Sequence, residues 1–320
     1  MDIIFMGSGE FAVKSFEQIV NSKSHKIAAV FTQNPKEGGR GMNLLRTPIH
    51  KKALEHNIPV YTPSDIRTKY ILELISGIHA EIIVVVSYGY ILPKTILSLK
   101  KYGCINIHPS KLPRYRGPTP IENAILNGDK ETAVSIIQMD ENMDSGDIIA
   151  QHVIDIGPKV NSIELHKICS DISGTLLINT LDNIDILPRL KQSDQLASYT
   201  KKNSQHNKII DWSGTAYKIN CQIRAFFPYI SIPFMYNKQE IRIKILDSDY
   251  KIIKHSYNPG RLILDKTMSD KLSVVCSDGI IELNYIQPEG KKVMSSSDYL
   301  NGIQDKTMFF KEINDIECKI

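Results

Sequence analysis

Several features that mark specialised protein classes are scarce in this 320-residue chain. Its five cysteines, at 104, 169, 221, 276 and 318, are odd in number, far apart and without a C-x-x-C pair. That excludes a disulfide framework or zinc knuckle and suits a reducing compartment. The nine histidines are equally scattered, so no group has ligand spacing and no metal is expected. The strongest apolar run, Ile82 to Val86, falls far short of the roughly eighteen residues a membrane span needs, so no membrane partner is expected. The opening MDIIFMGSGEF carries an acid at Asp2, no basic n-region and too short an apolar stretch for a signal peptide, which points to a cytoplasmic protein. A charge excess is also missing: 39 basic against 35 acidic residues leave +4, too little by itself to announce a nucleic-acid binder. There is one tryptophan, and neither a repeat of 20–50 residues nor a low-complexity tract is evident.

What is present is the composition of a globular protein, 42% hydrophobic and 23% charged, in a chain long enough for two domains. From Met1 to about Pro188, short runs rich in Ile and Val (Ile3–Met6, Ile27–Phe31, Pro59–Tyr61, Ile82–Val86, Ile105–Ile107) alternate with helix-like stretches. That rhythm predicts an α/β domain with a mostly parallel, Rossmann-like sheet. Ala133–Met139 and Ile148–Ile156 read as two further strands extending the sheet, and the apolar stripe Ile163–Leu187 as a helix covering it. Residues 189–207 are polar, and from Arg189 to Lys208 the basic Arg189, Lys191, Lys201, Lys202 and Lys208 face only Asp194, the pattern of a basic linker. Residues 208–320 begin with a helix, Gly214–Phe227, and then alternate as Ile241–Leu246, Gly260–Leu264, Leu272–Cys276 and Ile280–Ile286, which predicts a small β-rich barrel or sandwich.

Gly7-Ser8-Gly9 with Ala12 fits one version of a dinucleotide fingerprint, but no acid lies between Glu17 and Glu37 to take a ribose hydroxyl. A glycine turn for tight strand-to-helix packing is the favoured reading. The single tryptophan, Trp212, is expected to pack in a core or interface rather than stack on a base.

The chemistry lies between Gly103 and Asp147. Asn106 and His108 alternate along one strand and so share a face. At the carboxyl end of a parallel strand that face opens on the crevice where ligands bind. Pro109 and Pro113 bracket a stiff loop, and Met143–Asp147 offers carboxylates at a turn. An amide, an imidazole and a carboxylate suit acyl transfer to an amine. The amide N–H stabilises an oxyanion, the imidazole moves a proton, and the carboxylate orients or charges that ring. The competing structural use of the same residues is backbone capping at strand ends and turns.

Asn106-Ile107-His108-Pro109-Ser110, Leu112-Pro113-Arg114-Tyr115-Arg116-Gly117 and Asp144-Ser145-Gly146-Asp147 closely resemble the N-H-P-S-L-L-P…D-T-G-D signature of formyltransferases that use 10-formyltetrahydrofolate. The resemblance continues through Val84–Gly89 and Leu92-Pro93, and through Ile210-Asp211-Trp212 and Ile223–Phe226, so it spans nearly the whole chain. It implies Asn106, His108 and Asp144 as catalytic residues and the loop Ser110, Lys111, Leu112 and Pro113 as the contact with the folate, Lys111 standing where the family has leucine. The fold it implies is a Rossmann-like formyltransferase domain followed by an OB-like barrel.

The two-domain, tRNA-modifying branch is the nearer resemblance. It implies formylation of the amino group of initiator methionyl-tRNA by a monomer holding no permanent cofactor, with 10-formyltetrahydrofolate as cosubstrate. Lys36, Arg40 and Arg46 in the long loop 33–48, with Lys201 and Lys202, then form basic strips for RNA phosphates. Two competitors remain. One is another two-domain user of the same donor, a hydrolase module or a nucleotide-sugar formyltransferase; the other is a catalytically silent RNA-binding protein. Formyl transfer measured with and without methionyl-tRNA separates them.

Overall fold

A computed structural model of the chain describes residues 1–38, 43–236, 239–263 and 271–302. They divide into two compact units. The first holds Met1–Pro120, Glu131–Ile156 and Glu164–Lys201; the second holds 121–130, 157–163 and the described residues from 202 onward.

The first unit is built as β1 (Asp2–Gly7), α1 (Val13–Asn21), β2 (Lys26–Phe31), β3 (Lys36–Gly38), β4 (Asn43–Leu45), α2 (Pro48–Glu55), β5 (Val60–Tyr61), α3 (Lys69–Gly77), β6 (Ile82–Val86), α4 (Lys94–Leu97) and β7 (Cys104–His108). After α5 (Pro120–Leu126), which from residue 121 on belongs to the second unit, come β8 (Glu131–Gln138), β9 (Ile148–Asp155) and α6 (Ser162–Asp182). Seven strands form one sheet in the order β5-β2-β1-β6-β7-β8-β9. The ladders from β5 to β7 are parallel, and β8 and β9 add to the edge antiparallel. The expected α/β architecture is therefore present, with its two extra strands. Every residue of β6 is buried, as a strand covered on both faces requires, and each such side chain contributes roughly 1.5–3 kcal/mol of apolar burial.

Strand order reverses between β1 and β6, the point at which open α/β sheets hold their ligands beyond the carboxyl ends of the strands. Gly7 sits there for packing. A Cβ on it would lie 2.7 Å from the Phe5 ring and 3.0 Å from the Val86 carbonyl oxygen. Phe5 in turn meets Phe16 of α1 edge-on at 5.5 Å, so the glycine turn brings α1 close onto the sheet. The long loop 33–48 is not irregular throughout: β3 and β4 pair antiparallel within it, Lys36 opposite Leu45.

In the second unit, α7 (Ala216–Ala225) precedes β10 (Ser231–Tyr236), β11 (Gln239–Ile252), β12 (Leu262–Ile263), β13 (Ser273–Cys276), β14 (Gly279–Pro288), β15 (Met294–Ser295) and α8 (Ser296–Asn301). The pairings among described residues give an antiparallel sheet in the order β10-β11-β14-β13-β12, with β15 on β14. Register shifts in β11 at Ile245/Asp247 and Asp247/Ser248 mark bulges, which bend and twist a strand. Barrel closure is not among those pairings. Trp212 is buried, consistent with packing.

The polar stretch expected to link the domains is divided between the units at Lys201. Its first part is fastened rather than free: Leu190 exchanges backbone hydrogen bonds with Ile148, and Thr200 N–H donates to the Arg116 carbonyl at 2.8 Å.

Candidate active site

β7 carries the first two residues of interest. Its parallel partner is β6 and its antiparallel partner β8, so its direction is set on both sides. Alternation puts Cys104, Asn106 and His108 on one face and Ile105 and Ile107 on the other. His108 is buried at the carboxyl end of the strand.

The third residue arrives from 36 positions further along, on the turn between β8 and β9. Gly146 allows that turn to fold flat against β8, since a Cβ there would lie 1.7 Å from the Gln138 carbonyl oxygen. Asp144 adopts a left-handed backbone, φ 52°, costly for a residue other than glycine unless its surroundings hold it. Its carboxylate is the hub of the site. Asn106 Nδ2 donates to Oδ1 at 3.2 Å, and the Gly117 backbone N–H donates to Oδ2 at 2.8 Å. His108 Nδ1 lies 3.5 Å from Oδ2. On the other side of the ring, Nε2 is 2.9 Å from the Tyr115 carbonyl oxygen. A carbonyl oxygen can only accept, so Nε2 carries the proton and Nδ1 faces the carboxylate. The structure thus brings the amide, imidazole and carboxylate together, Asn106 hydrogen-bonded to Asp144 and the His108 ring within 3.5 Å of the same carboxylate.

The loop after β7 is built on its own backbone and on the next two strands. Ser110 N–H donates to the His108 carbonyl at 2.9 Å and Leu112 N–H to the Ser110 carbonyl at 3.0 Å. Ser110 Oγ donates to the Arg114 carbonyl, while Ser135 Oγ on β8 and Gln151 Nε2 on β9 donate to the Ser110 and Leu112 carbonyls. Ser110 and Leu112 side chains are buried in this packing; Lys111 is half-buried and pairs with Glu131; Pro113 follows a cis peptide bond.

The basic residues lie elsewhere. Lys36 and Arg46 are exposed on either side of the β3–β4 hairpin, and Lys201 and Lys202 are exposed on a separate segment. Arg40 lies outside the described residues. Beside Arg46 is a cavity of about 410 Å³ lined by Pro35, Leu44, Leu45, Arg46, His50 and Lys51. Burial, and then the charge of Arg46, hold the His50 imidazole below its ordinary pKa. Among the described residues no group of His, Cys, Asp or Glu could hold a metal ion.

Two groups near the cluster escaped the sequence. Arg116 belongs to the quoted motif, yet nothing in its spacing told that its side chain would be buried. Gln192, in a polar stretch with no periodicity, donates from Nε2 to the Asp144 and Gly146 carbonyls. No sequence signal would have singled it out.

Two family models cover most of the chain: that of formyl transferase matches residues 1–181, and that of the formyl transferase C-terminal domain matches residues 202–304. A curated relative from Rickettsia canadensis (strain McKiel), named methionyl-tRNA formyltransferase, is 43% identical over 302 residues, covering 94% of this chain and 97% of the relative. One of the same name from Rickettsia bellii (strain RML369-C) is 42% identical over 304 residues, covering 95% and 97%. Among solved structures, the sugar 3N-formyltransferase WlaRD, crystallised with dTDP and 5-N-formyl-THF, shares the fold at TM-score 0.65 and 22% identity, covering 91% of this chain and 99% of its own. An N-formyltransferase from Helicobacter canadensis, in complex with folinic acid and dTDP-3-aminofucose, does so at TM-score 0.64 and 23% identity, covering 88% and 98%.

Proposed function

This chain belongs to the formyl transferase family, and from that premise we propose that it transfers the formyl group of 10-formyltetrahydrofolate to the amino group of initiator methionyl-tRNA. Curated relatives of that name, 42–43% identical and covered over 97% of their length, support this substrate. The structural observation that carries it is the single cluster of Asn106, His108 and Asp144 at the end of β7.

The amine nitrogen attacks the formyl carbon, the carbonyl electrons move onto oxygen, and the bond from that carbon to N10 breaks. One proton leaves the amine and one is gained at N10, so the exchange balances. Asn106 uses one amide N–H to hold Asp144 and offers the other to the developing oxyanion. His108, its Nδ1 beside the Asp144 carboxylate, accepts a proton from the attacking amine and passes it toward N10. Asp144 orients the ring and supports its charged form. The donor is held along the loop Ser110–Pro113 through main-chain groups and Lys111, because the Ser110 and Leu112 side chains are committed to the loop's own packing. Lys36, Arg40 and Arg46, with Lys201 and Lys202, meet RNA phosphates.

In this proposal residues 1–188 perform the chemistry, residues 208–320 hold RNA, and 189–207 run between them, in a monomeric cytoplasmic enzyme. Among the described residues no helix is long and apolar enough to cross a membrane.

Transfer of labelled formyl from the folate donor tests the assignment. Asn106→Ala is expected to slow transfer to methionyl-tRNA by about 100- to 1,000-fold, and His108→Ala by about 100- to 10,000-fold, in folded proteins. Near-wild-type rates in both variants would overturn the catalytic roles. Equal activity on a nucleotide-linked amino sugar, or folate turnover without an acceptor, would overturn the substrate.

A further inference from the structure

The segment Gln192–Thr200 reads as polar connection, yet it touches both the β8–β9 turn and the loop after β7. Gln192 Nε2 donates to two carbonyl oxygens of the β8–β9 turn, Asp144 at 2.8 Å and Gly146 at 2.7 Å. Its Oε1 accepts from Arg116 Nε at 3.1 Å. Arg116 is almost wholly buried, and its Nη1 reaches Asp194 Oδ1 and the Tyr199 hydroxyl, both at 2.9 Å. The backbone of Arg116 is held as well, its N–H by the Ser198 carbonyl and its carbonyl by the Thr200 N–H, each at 2.8 Å. Tyr115 N–H donates to Ser198 Oγ at 2.9 Å.

The residues on either side of Arg116 are the ones that meet the cluster. The Tyr115 carbonyl accepts from His108, and the Gly117 N–H donates to Asp144. Gln192 therefore hydrogen-bonds both to the turn carrying Asp144 and to the loop carrying those two partners. An amide suits the position because it donates twice on one side and accepts on the other. It also holds the left-handed Asp144 backbone, which needs outside support.

We propose that Gln192 is a positioning residue for formyl transfer, bridging the Asp144 turn to the Arg116 loop so that the Asp144 carboxylate stays in register with Asn106 and His108. The inference rests on the function proposed above and adds a residue to its machinery. It acts through Asp144 and touches no substrate.

Two variants separate positioning from folding. Gln192→Glu keeps the acceptor for Arg116 and removes both donors to the turn; Gln192→Met keeps the volume and removes all three hydrogen bonds. Each is expected to lower kcat by roughly 10- to 100-fold, the scale of a small misplacement of a reacting group, with KM for donor and methionyl-tRNA within about twofold of wild type. In an Asp144→Asn background the same changes are expected to cost less than about twofold, because the group they position is already disabled. Loss of the same factor in both backgrounds, or a kcat within about threefold of wild type, overturns the proposal.

A second measurement needs no turnover. The His108 ring chemical shifts in an NMR spectrum at fixed pH are expected to move in Gln192→Met as they move in Asp144→Asn, while the other histidines stay in place. Unmoved His108 signals overturn the positioning role whatever the activity. If wild-type protein transfers no formyl to methionyl-tRNA and His108 still responds to Gln192→Met, the function fails and the bridge stands.

Discussion

Cys104, Cys169, Cys221 and Cys276 are all buried and free of disulfides. Burial pushes the thiols of Cys104 and Cys169 up to about 12. Burial first, and then the nearby charge of Asp278, pushes Cys276 up to about 11. Since the thiolate is the reactive form, these side chains stay protonated and inert at neutral pH. With Cys221 and Cys318 both replaced by Ser, the remaining three thiols are accordingly expected to react with a thiol reagent at pH 8 more than about 100-fold more slowly in the folded chain than in guanidinium, read as thiols modified against time. The linkage has a definite sign. Folded values lie above the unfolded one near 8.5, so the unfolded chain releases protons first and stability falls as pH rises from about 8.5 toward 11–12. At this same scale, the identity of Asn106, His108 and Asp144 was legible because three short motifs in a specific order resemble one family's signature. Gln192 was not, because its role consists of contacts 46, 48 and 76 residues away in sequence.

The start of α2, which by sequence falls at the end of the loop 33–48, is dictated by its own residues. α2 starts with Thr47-Pro48: proline suits the first helical position, and Thr47 Oγ1 accepts from the His50 N–H at 3.1 Å. Thr47 also bonds Thr32 at 2.7 Å, tying the helix start to the end of β2. Thr47→Ala is expected to lower unfolding free energy by about 1 kcal/mol in a denaturant titration, and Thr47→Ser by much less, because serine keeps the cap. β10 went unread for a physical reason. Its sequence SIPFMY contains Pro233, which argues against a central strand, and the element is an edge strand paired only with β11 among the described residues. The β3–β4 hairpin was hidden in a different way, since its three-residue strands are too short for alternation to register.

At the scale of the molecule, charge matters by location. Lys36 and Arg46 flank the hairpin while Lys201 and Lys202 follow the strap that holds Arg116, so basic groups stand exposed on two separate segments of a chain with a net charge of only +4. Methionyl-tRNA binding is expected to weaken steeply with salt, and replacing Lys201 and Lys202 by Gln to reduce the log–log slope by about one to two, measured by fluorescence titration across potassium chloride concentrations. A slope unchanged in that variant would remove these two residues from the RNA interface.

Local pattern by itself determined the parallel strands, the long helix α6 and the strand face shared by Asn106 and His108, because periodicity and backbone alternation act over a few residues. Tertiary structure alone decided that Asp144 would swing back 38 positions onto Asn106 on that face, that Gly146 would let its turn lie against β8, and that a polar stretch after α6 would become a clasp rather than a spacer. The reason lies in what a hydrogen bond requires. Donor and acceptor must meet within about 3 Å, and for residues tens of positions apart only the completed packing of the sheet and its loops brings them there.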